Sequence, residues 1–183
     1  AAVLTDMNVP LGHAVGNSLE IAEAVAVLRG ENVSDLRQVC VCLASNMVSL
    51  TFDLPIEEAE KRVITAIDSG AAYEKMKEWI SAQGGDVRYI ENTSRFEKAS
   101  IIHEVKSPTD GYIHDMDAEG IGNASVVLGA GRLTKGDPID FSAGIVIRGK
   151  AGDKVKKGDV LCELHTNNAD AVADAEKRYL DAL

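Results

Sequence analysis

Aromatic residues make up only 4% of this 183-residue sequence, so Ala, Val, Ile and Leu must supply most of any buried core. Positive charge is also short. The 19 Lys and Arg against 29 Asp and Glu give a formal charge of −10, which argues against nucleic acid as a partner, because a phosphate backbone is held by clustered basic side chains. No apolar run approaches the length of a membrane-crossing helix, and no basic region followed by an apolar segment and cleavage site opens the chain. The expectation is a cytoplasmic protein with no membrane partner. Cysteine is limited to Cys40, Cys42 and Cys162, an odd number. Cys40 and Cys42 point to different faces of a helical pattern, so neither a disulfide framework nor a zinc site follows, and all three are expected to be small core residues. The triplets at Asn32, Asn92 and Asn123 match the glycosylation pattern, but without a secretion signal they are chance matches. An initiator Met is missing too: the chain opens on Ala1-Ala2-Val3-Leu4, an apparent interior strand, as a piece of a longer protein would.

What is present is a 45% apolar chain long enough to bury a real core in one large domain or two small ones. Its most informative stretch runs from Thr5 to Ala24. The apolar Ala2-Val3-Leu4 leads into a loop punctuated by Pro10, Gly12 and Gly16, and Leu19, Ala22, Val25 and Ala26 then repeat at helical spacing. The pattern predicts strand, loop and helix, the junction at which α/β proteins place ligands. Asn17 and Ser18 are both good N-caps, and Glu20 suits the positive helix end.

Three further helices are predicted. Ser34 is placed to cap one that runs to about Leu50, with Leu36, Val39, Cys40, Leu43, Met47 and Leu50 as its apolar stripe. The next begins at Pro55, carries Glu57, Glu58 and Glu60 at its electropositive end, buries Ala59, Val63, Ile64 and Ile67, and closes at Ser69-Gly70. The last runs from Ala71 to about Gln83, with Tyr73, Met76, Trp79 and Ile80 as a core face, and stops at Gly84-Gly85. From Ile101 the grammar changes to short β-prone runs: 101–105, 111–114, 124–128, 144–147 and 160–164, separated by Pro-Thr-Asp-Gly and Lys-Lys-Gly-Asp turns. A final helix over about 168–180 lies across them. The fold class expected is α+β: a mostly helical, strand-plus-helices fragment of an α/β domain over residues 1–85, then a small β-rich barrel-sandwich domain of carrier-like, hammerhead topology over 86–183 that ends in a helix.

Chemistry is sparse. Gly120-Ile121-Gly122 and Gly129-Ala130-Gly131 are imperfect phosphate-loop patterns, better assigned to strand turns. His13, His103, His114 and His165 have no zinc spacing, and no serine sits in a nucleophile elbow. The units Ser107-Pro108-Thr109-Asp110-Gly111 and Gly152-Asp153 to Leu161 resemble those of biotinyl and lipoyl carrier domains. In the best register, however, Asn168 stands where the prosthetic lysine should be, and an amide cannot carry a linkage made by an amine. A carrier-like or partner-binding module without that lysine is the alternative reading.

The closest resemblance lies in Thr5-Asp6-Met7-Asn8-x-Pro10-Leu11-Gly12-x-Ala14-Val15-Gly16-Asn17-x-Leu19-Glu20 followed by Glu23-Ala24. This resembles bacterial pyrimidine-nucleoside and thymidine phosphorylases. Ser81 to Asp86, Leu128 to Arg132, Asp137 to Gly144, and Gly152-Asp153-x-Val155-x-Lys157-Gly158 follow in the order of that family. The resemblance covers this chain and only the C-terminal part of the family's. It implies phosphorolysis by the parent enzyme, a pentosyltransferase in which inorganic phosphate attacks the anomeric carbon of a pyrimidine nucleoside to give base and pentose 1-phosphate. It also implies a homodimer formed through a region absent here. The phosphate- and base-reading residues would precede Ala1, so no catalytic residue is expected in this chain, and it should not be active alone. One family feature maps here: a potassium ion held by the carbonyls of Leu11 and Ala14 and the carboxylate of Glu23. A phosphoribosyltransferase is a more distant possibility.

Overall fold

Contacts divide the chain into two units, residues 1–5 with 22–95, and residues 6–21 with 96–183. The computed structural model describes residues 2–31 and 33–183, so Ala1 and Asn32, with its glycosylation triplet, lie outside the described residues.

The first unit is helical. Helix α1 (Asn17–Leu28) enters it from the second unit. Helices α2 (Ser34–Phe52), α3 (Ile56–Asp68) and α4 (Ala71–Ala82) follow, with the short α5 (Arg88–Glu91). Ser34 opens α2, whose cap position is Val33. Asp53, at φ 51°, ends that helix in the left-handed conformation, with Leu54 N donating back to Ser49 O at 3.1 Å and Ser49 Oγ to Leu54 O at 2.7 Å. Pro55 stands at the cap of α3, where its missing N–H costs nothing, and Glu57 and Glu58 occupy the first turn. Ala59, Val63 and Ile67 form the buried stripe of α3. Gly84 (φ 79°) and Gly85, whose N–H reaches Ile80 O at 2.9 Å, stop the chain after α4 as the sequence implies.

Two helical expectations change. The stripe Cys40, Leu43, Met47 and Leu50 on α2 faces outward, and it is Val41, Ala44 and Val48, one step round, that pack with Val63, Ile64 and Ile67. Cys40 and Cys42 are accordingly exposed, and only Cys162 is buried, where desolvation raises its thiol pKa far above the ordinary value. On α4 no residue is fully buried and Trp79 is exposed, so the expected core face is only half-covered. Tyr73 is instead a fastening point: its hydroxyl donates to Ile90 O (2.9 Å), while Arg29 Nη2 donates to Tyr73 Oη (2.7 Å), Ile90 O (2.9 Å) and Glu91 O (2.6 Å). This arrangement ties α1, α4 and α5 together.

The second unit is built on a four-stranded antiparallel sheet in the order β1-β4-β6-β2, from β1 (Ala14–Gly16), β4 (Gly144–Ile147), β6 (Val160–Thr166) and β2 (Ile101–Lys106). β3 (Gly111–Tyr112) and β5 (Lys154–Val155) make a separate ribbon. The described strands do not close into a barrel. Helices α6 (Ala118–Ser125) and α7 (Val172–Asp181) bring Ile121, Ala124, Ala175 and Tyr179 into one core with Val105, Ile145, Ile147, Cys162 and Leu164 from the sheet. Two turns of identical chemistry border β5. In Lys150–Asp153 and Lys156–Asp159 the Asp carboxylate accepts the N–H of the Lys three residues earlier, each at 2.8 Å, and Gly152 (φ 94°) and Gly158 (φ 93°) take the positive φ.

Two β expectations are overturned. Ala2-Val3-Leu4 is not a strand, and Leu4 is 99% exposed; the short strand near the N-terminus is β1, inside the predicted loop. Residues 124–128 are helix α6 running into a wide turn over Val126–Ala130, so Gly120, Gly122 and Gly129 do not serve strand turns. Asp117 caps α6 by accepting the N–H groups of Glu119 and Gly120, each at 3.1 Å, and Ile121, Ala124, Ser125 and Leu128 are buried at helical spacing. Helical capping and burial outweigh the β-preference of Val126-Val127.

Gly144 and Gly16 face each other across β1 and β4. A Cβ on Gly144 (φ 155°) would lie 2.5 Å from Val15 O, and one on Gly16 (φ 147°) 2.6 Å from Ala143 O. Gly122 has open space around its Cα. Thermal unfolding should therefore show Gly144→Ala losing about 3 kcal/mol, while Gly122→Ala is unchanged or gains a few tenths, about the helix-propensity difference.

Candidate functional site

The segment from Asp6 to Gly16, itself part of the second unit, is held at close intervals by the rest of that unit. Asn8 O accepts the N–H of Ala118 (2.9 Å), Pro10 O accepts Lys150 Nζ (2.6 Å), and His13 O accepts the N–H of Ile147 (2.7 Å). His13 Nδ1 lies 3.1 Å from Ile147 O, and Val15 O accepts Ser125 Oγ at 3.1 Å. Gly12, at φ 70°, makes the bend between Leu11 and Ala14 that a side chain would oppose. Beyond β1, Glu20 folds back so that its Oε1 accepts Gly16 N–H at 2.8 Å. Asn17 and Ser18, expected as helix caps, reach away instead: Asn17 Nδ2 donates to Ala130 O (2.9 Å) and Ser18 Oγ to Phe141 O (2.6 Å). The loop has one defined shape, fastened at both ends.

Of the residues proposed for a cation, Leu11 is partly exposed on this loop, Ala14 begins β1 opposite Val146, and Glu23 lies in the second turn of α1, half-buried. Leu11 and Ala14 belong to the second unit and Glu23 to the first. Among the described residues no three His, Cys, Asp or Glu side chains gather as a metal-binding group. Two main-chain carbonyls with one carboxylate form an all-oxygen set, which suits a hard cation and not a transition metal.

Sequence reasoning missed the strut behind this loop. Asp140 Oδ1 accepts Ser142 N–H (2.9 Å) and Ser142 Oγ–H (2.6 Å), and its Oδ2 accepts Asn167 Nδ2–H (2.8 Å). Partial burial works against the Asp140 carboxylate, but these hydrogen bonds outweigh it and hold its pKa below the ordinary value. The short Asp-x-Ser spacing, an Asx-turn signal, was available in the sequence; the partnership with Asn167 was not. Asn168, at the carrier-lysine position, caps the C-terminal helical segment by accepting the N–H of Asp170 at 3.1 Å, so that hairpin is a structural corner. Elsewhere, Arg148 is bidentate on Glu163 (2.9 and 3.0 Å) and His103 Nε2 bonds Glu176 at 2.8 Å. These pairs satisfy one another and present no nucleophile beside a base.

An α+β chain with a rigid glycine loop leading into a helix, and a sheet-and-helix unit bracing that loop, is the class of protein defined by this geometry. Residues 112–183 match the family model described as the pyrimidine nucleoside phosphorylase C-terminal domain. The chain is similar to the pyrimidine-nucleoside phosphorylase of Staphylococcus aureus strain bovine RF122 / ET3-1, 45% identical over 178 residues, and to that of strain USA300, 44% identical over 178 residues. Each match covers 97% of this chain and 41% of the relative. The chain is thus similar to a portion of these pyrimidine-nucleoside phosphorylases that includes the C-terminal domain, and spans about two-fifths of their length.

A carboxylate with a depressed pKa adds stability that is full above its unfolded value and is lost as pH falls through its folded value. Thermal unfolding at pH 7, 5 and 3 should show Asp140→Asn less stable than the wild type at pH 7, with the difference shrinking below the ordinary carboxyl value of 3.8. A difference that stays constant with pH would contradict an ionised Asp140 strut.

Proposed function

We propose that this chain is the C-terminal part of an enzyme that phosphorolyses pyrimidine nucleosides, with inorganic phosphate as co-substrate. In this reading the phosphate oxygen forms a bond to the anomeric carbon as the bond to the base nitrogen breaks, releasing the base and a pentose 1-phosphate. The single observation that carries it is 45% identity over 97% of the chain to a protein of that name. The role assigned to this chain is positional. Pro10, His13 and Val15 are tethered through their main-chain oxygens to Lys150, Ile147 and Ser125, which keeps the loop from Asp6 to Gly16 in a single conformation. Such preorganisation is what an oxyanion substrate held beside it would need.

The same reading assigns the carbonyls of Leu11 and Ala14 and the carboxylate of Glu23 to a potassium ion. The ion would supply fixed positive charge near the phosphate; the chain's own residues orient the loop. The bend at Gly12 lets two nearby carbonyls of one loop serve as ligands, as a hard cation requires. The remaining oxygens would come from the rest of the enzyme, so affinity in this chain alone is weak.

The isolated chain should release no uracil or thymine from uridine or thymidine in phosphate buffer above the no-enzyme rate; turnover would overturn the assignment of the chemistry to other segments. Crystals grown in rubidium should show anomalous density between the Leu11 and Ala14 carbonyls. Absence of density there at saturating rubidium, or density that Glu23→Gln leaves unchanged, would remove this cation site from the proposal.

A further inference from the structure

Between Arg37 and Asp53 no residue of α2 carries a charge. One side of this helix packs on α3 through Val41, Ala44 and Val48. A second apolar row, Cys40, Leu43, Met47 and Leu50, lies roughly 110° further round at 100° per residue. Its members face solvent: Leu43 is 40% exposed, Met47 67% and Leu50 68%, and Phe52 at the helix end 61%. A solvated helix face is ordinarily polar, and a contiguous apolar row without charge marks an interface.

Two observations say what covers it. In the first unit the cluster that α2 joins is small, Val41, Val63 and Ile67 with Ala44, Val48, Ile64 and Ala72 packed against it, while Val25, Val27, Ala59 and Ile90 are buried outside it; the cluster of the second unit is larger. A 19-residue helix with two apolar faces is therefore left half-covered. The relatives that match 97% of this chain carry more than half of their own length outside the match. A lipid surface fits less well, because the chain's formal charge is −10 and anionic membranes draw basic segments.

We propose that the outer face of α2, centred on Leu43, Met47 and Leu50, is the interface for the portion of a pyrimidine-nucleoside phosphorylase chain that lies outside the segment matched here. This rests on the family correspondence and not on the catalytic reading, so loss of one leaves the other standing. The occupant presents an apolar, uncharged surface that seals the row from Cys40 to Leu50 and completes the core of the first unit.

The test mixes the chain with the separately produced remainder of the Staphylococcus aureus pyrimidine-nucleoside phosphorylase, followed by calorimetry and hydrogen exchange. The wild type should bind, and amides of α2 should gain about 10-fold protection in the complex. Met47→Asp with Leu50→Asp should weaken binding about 100-fold, because each charge would have to be buried unpaired. The milder Leu43→Gln should weaken it less, and Lys177→Gln on α7 should leave it unchanged. Because the altered side chains are exposed, circular dichroism of the free variants should match the wild type. Absence of a complex overturns the proposal. So does a complex indifferent to all three α2 substitutions, self-association of the chain that the Asp pair abolishes, or binding to phosphatidylcholine vesicles that the pair abolishes.

Discussion

The pairing of β1 with β4 through Gly16 and Gly144 is the contact on which the rest of the arrangement depends. Three residues of strand are little by themselves, but the two glycines let the backbones meet where any Cβ would collide with a carbonyl. That close approach carries the loop from Asp6 to Val15 onto the edge of the sheet and aims the start of α1. Hydrogen bonds from Ile147, Lys150, Ala118 and Ser125 then fix the loop's main-chain oxygens one after another. The loop's shape is thus determined by residues more than a hundred positions away in sequence.

Signals confined to a few adjacent residues were legible. The Gly-Asp turns at 152–153 and 158–159, the Gly84-Gly85 stop and the Ala59, Val63, Ile67 stripe all behave as local chemistry requires. What failed needed a partner that periodicity does not name. Ala2-Val3-Leu4 has strand composition but pairs with no strand among the described residues. Val126 and Val127 favour β structure locally, yet the Asp117 cap and the burial of Ile121, Ala124 and Leu128 extend a helix through them. On α2 the sequence holds two apolar rows, and nothing in their spacing says which one meets α3. The carbonyl tethers of the loop were invisible because main-chain acceptors have no sequence signature.

The two units differ in how complete they are. The second closes its core with residues of the sheet and of α6 and α7, and several of its polar groups are tied into turns and struts such as Asp140-Ser142-Asn167. The first has a thin core, exposed cysteines and an uncharged helix face. This division agrees with the proposal that the outer face of α2 is an interface, while the second unit needs no further cover for its core.

The sheet clamps the loop through β1. Hydrogen exchange at Ile147 tests it most directly, because that amide donates to His13 O at 2.7 Å. Its protection should lie within about 10-fold of that of the amides in the centre of β6. An Ile147 amide that exchanges as a free one, while β6 stays protected, would contradict it.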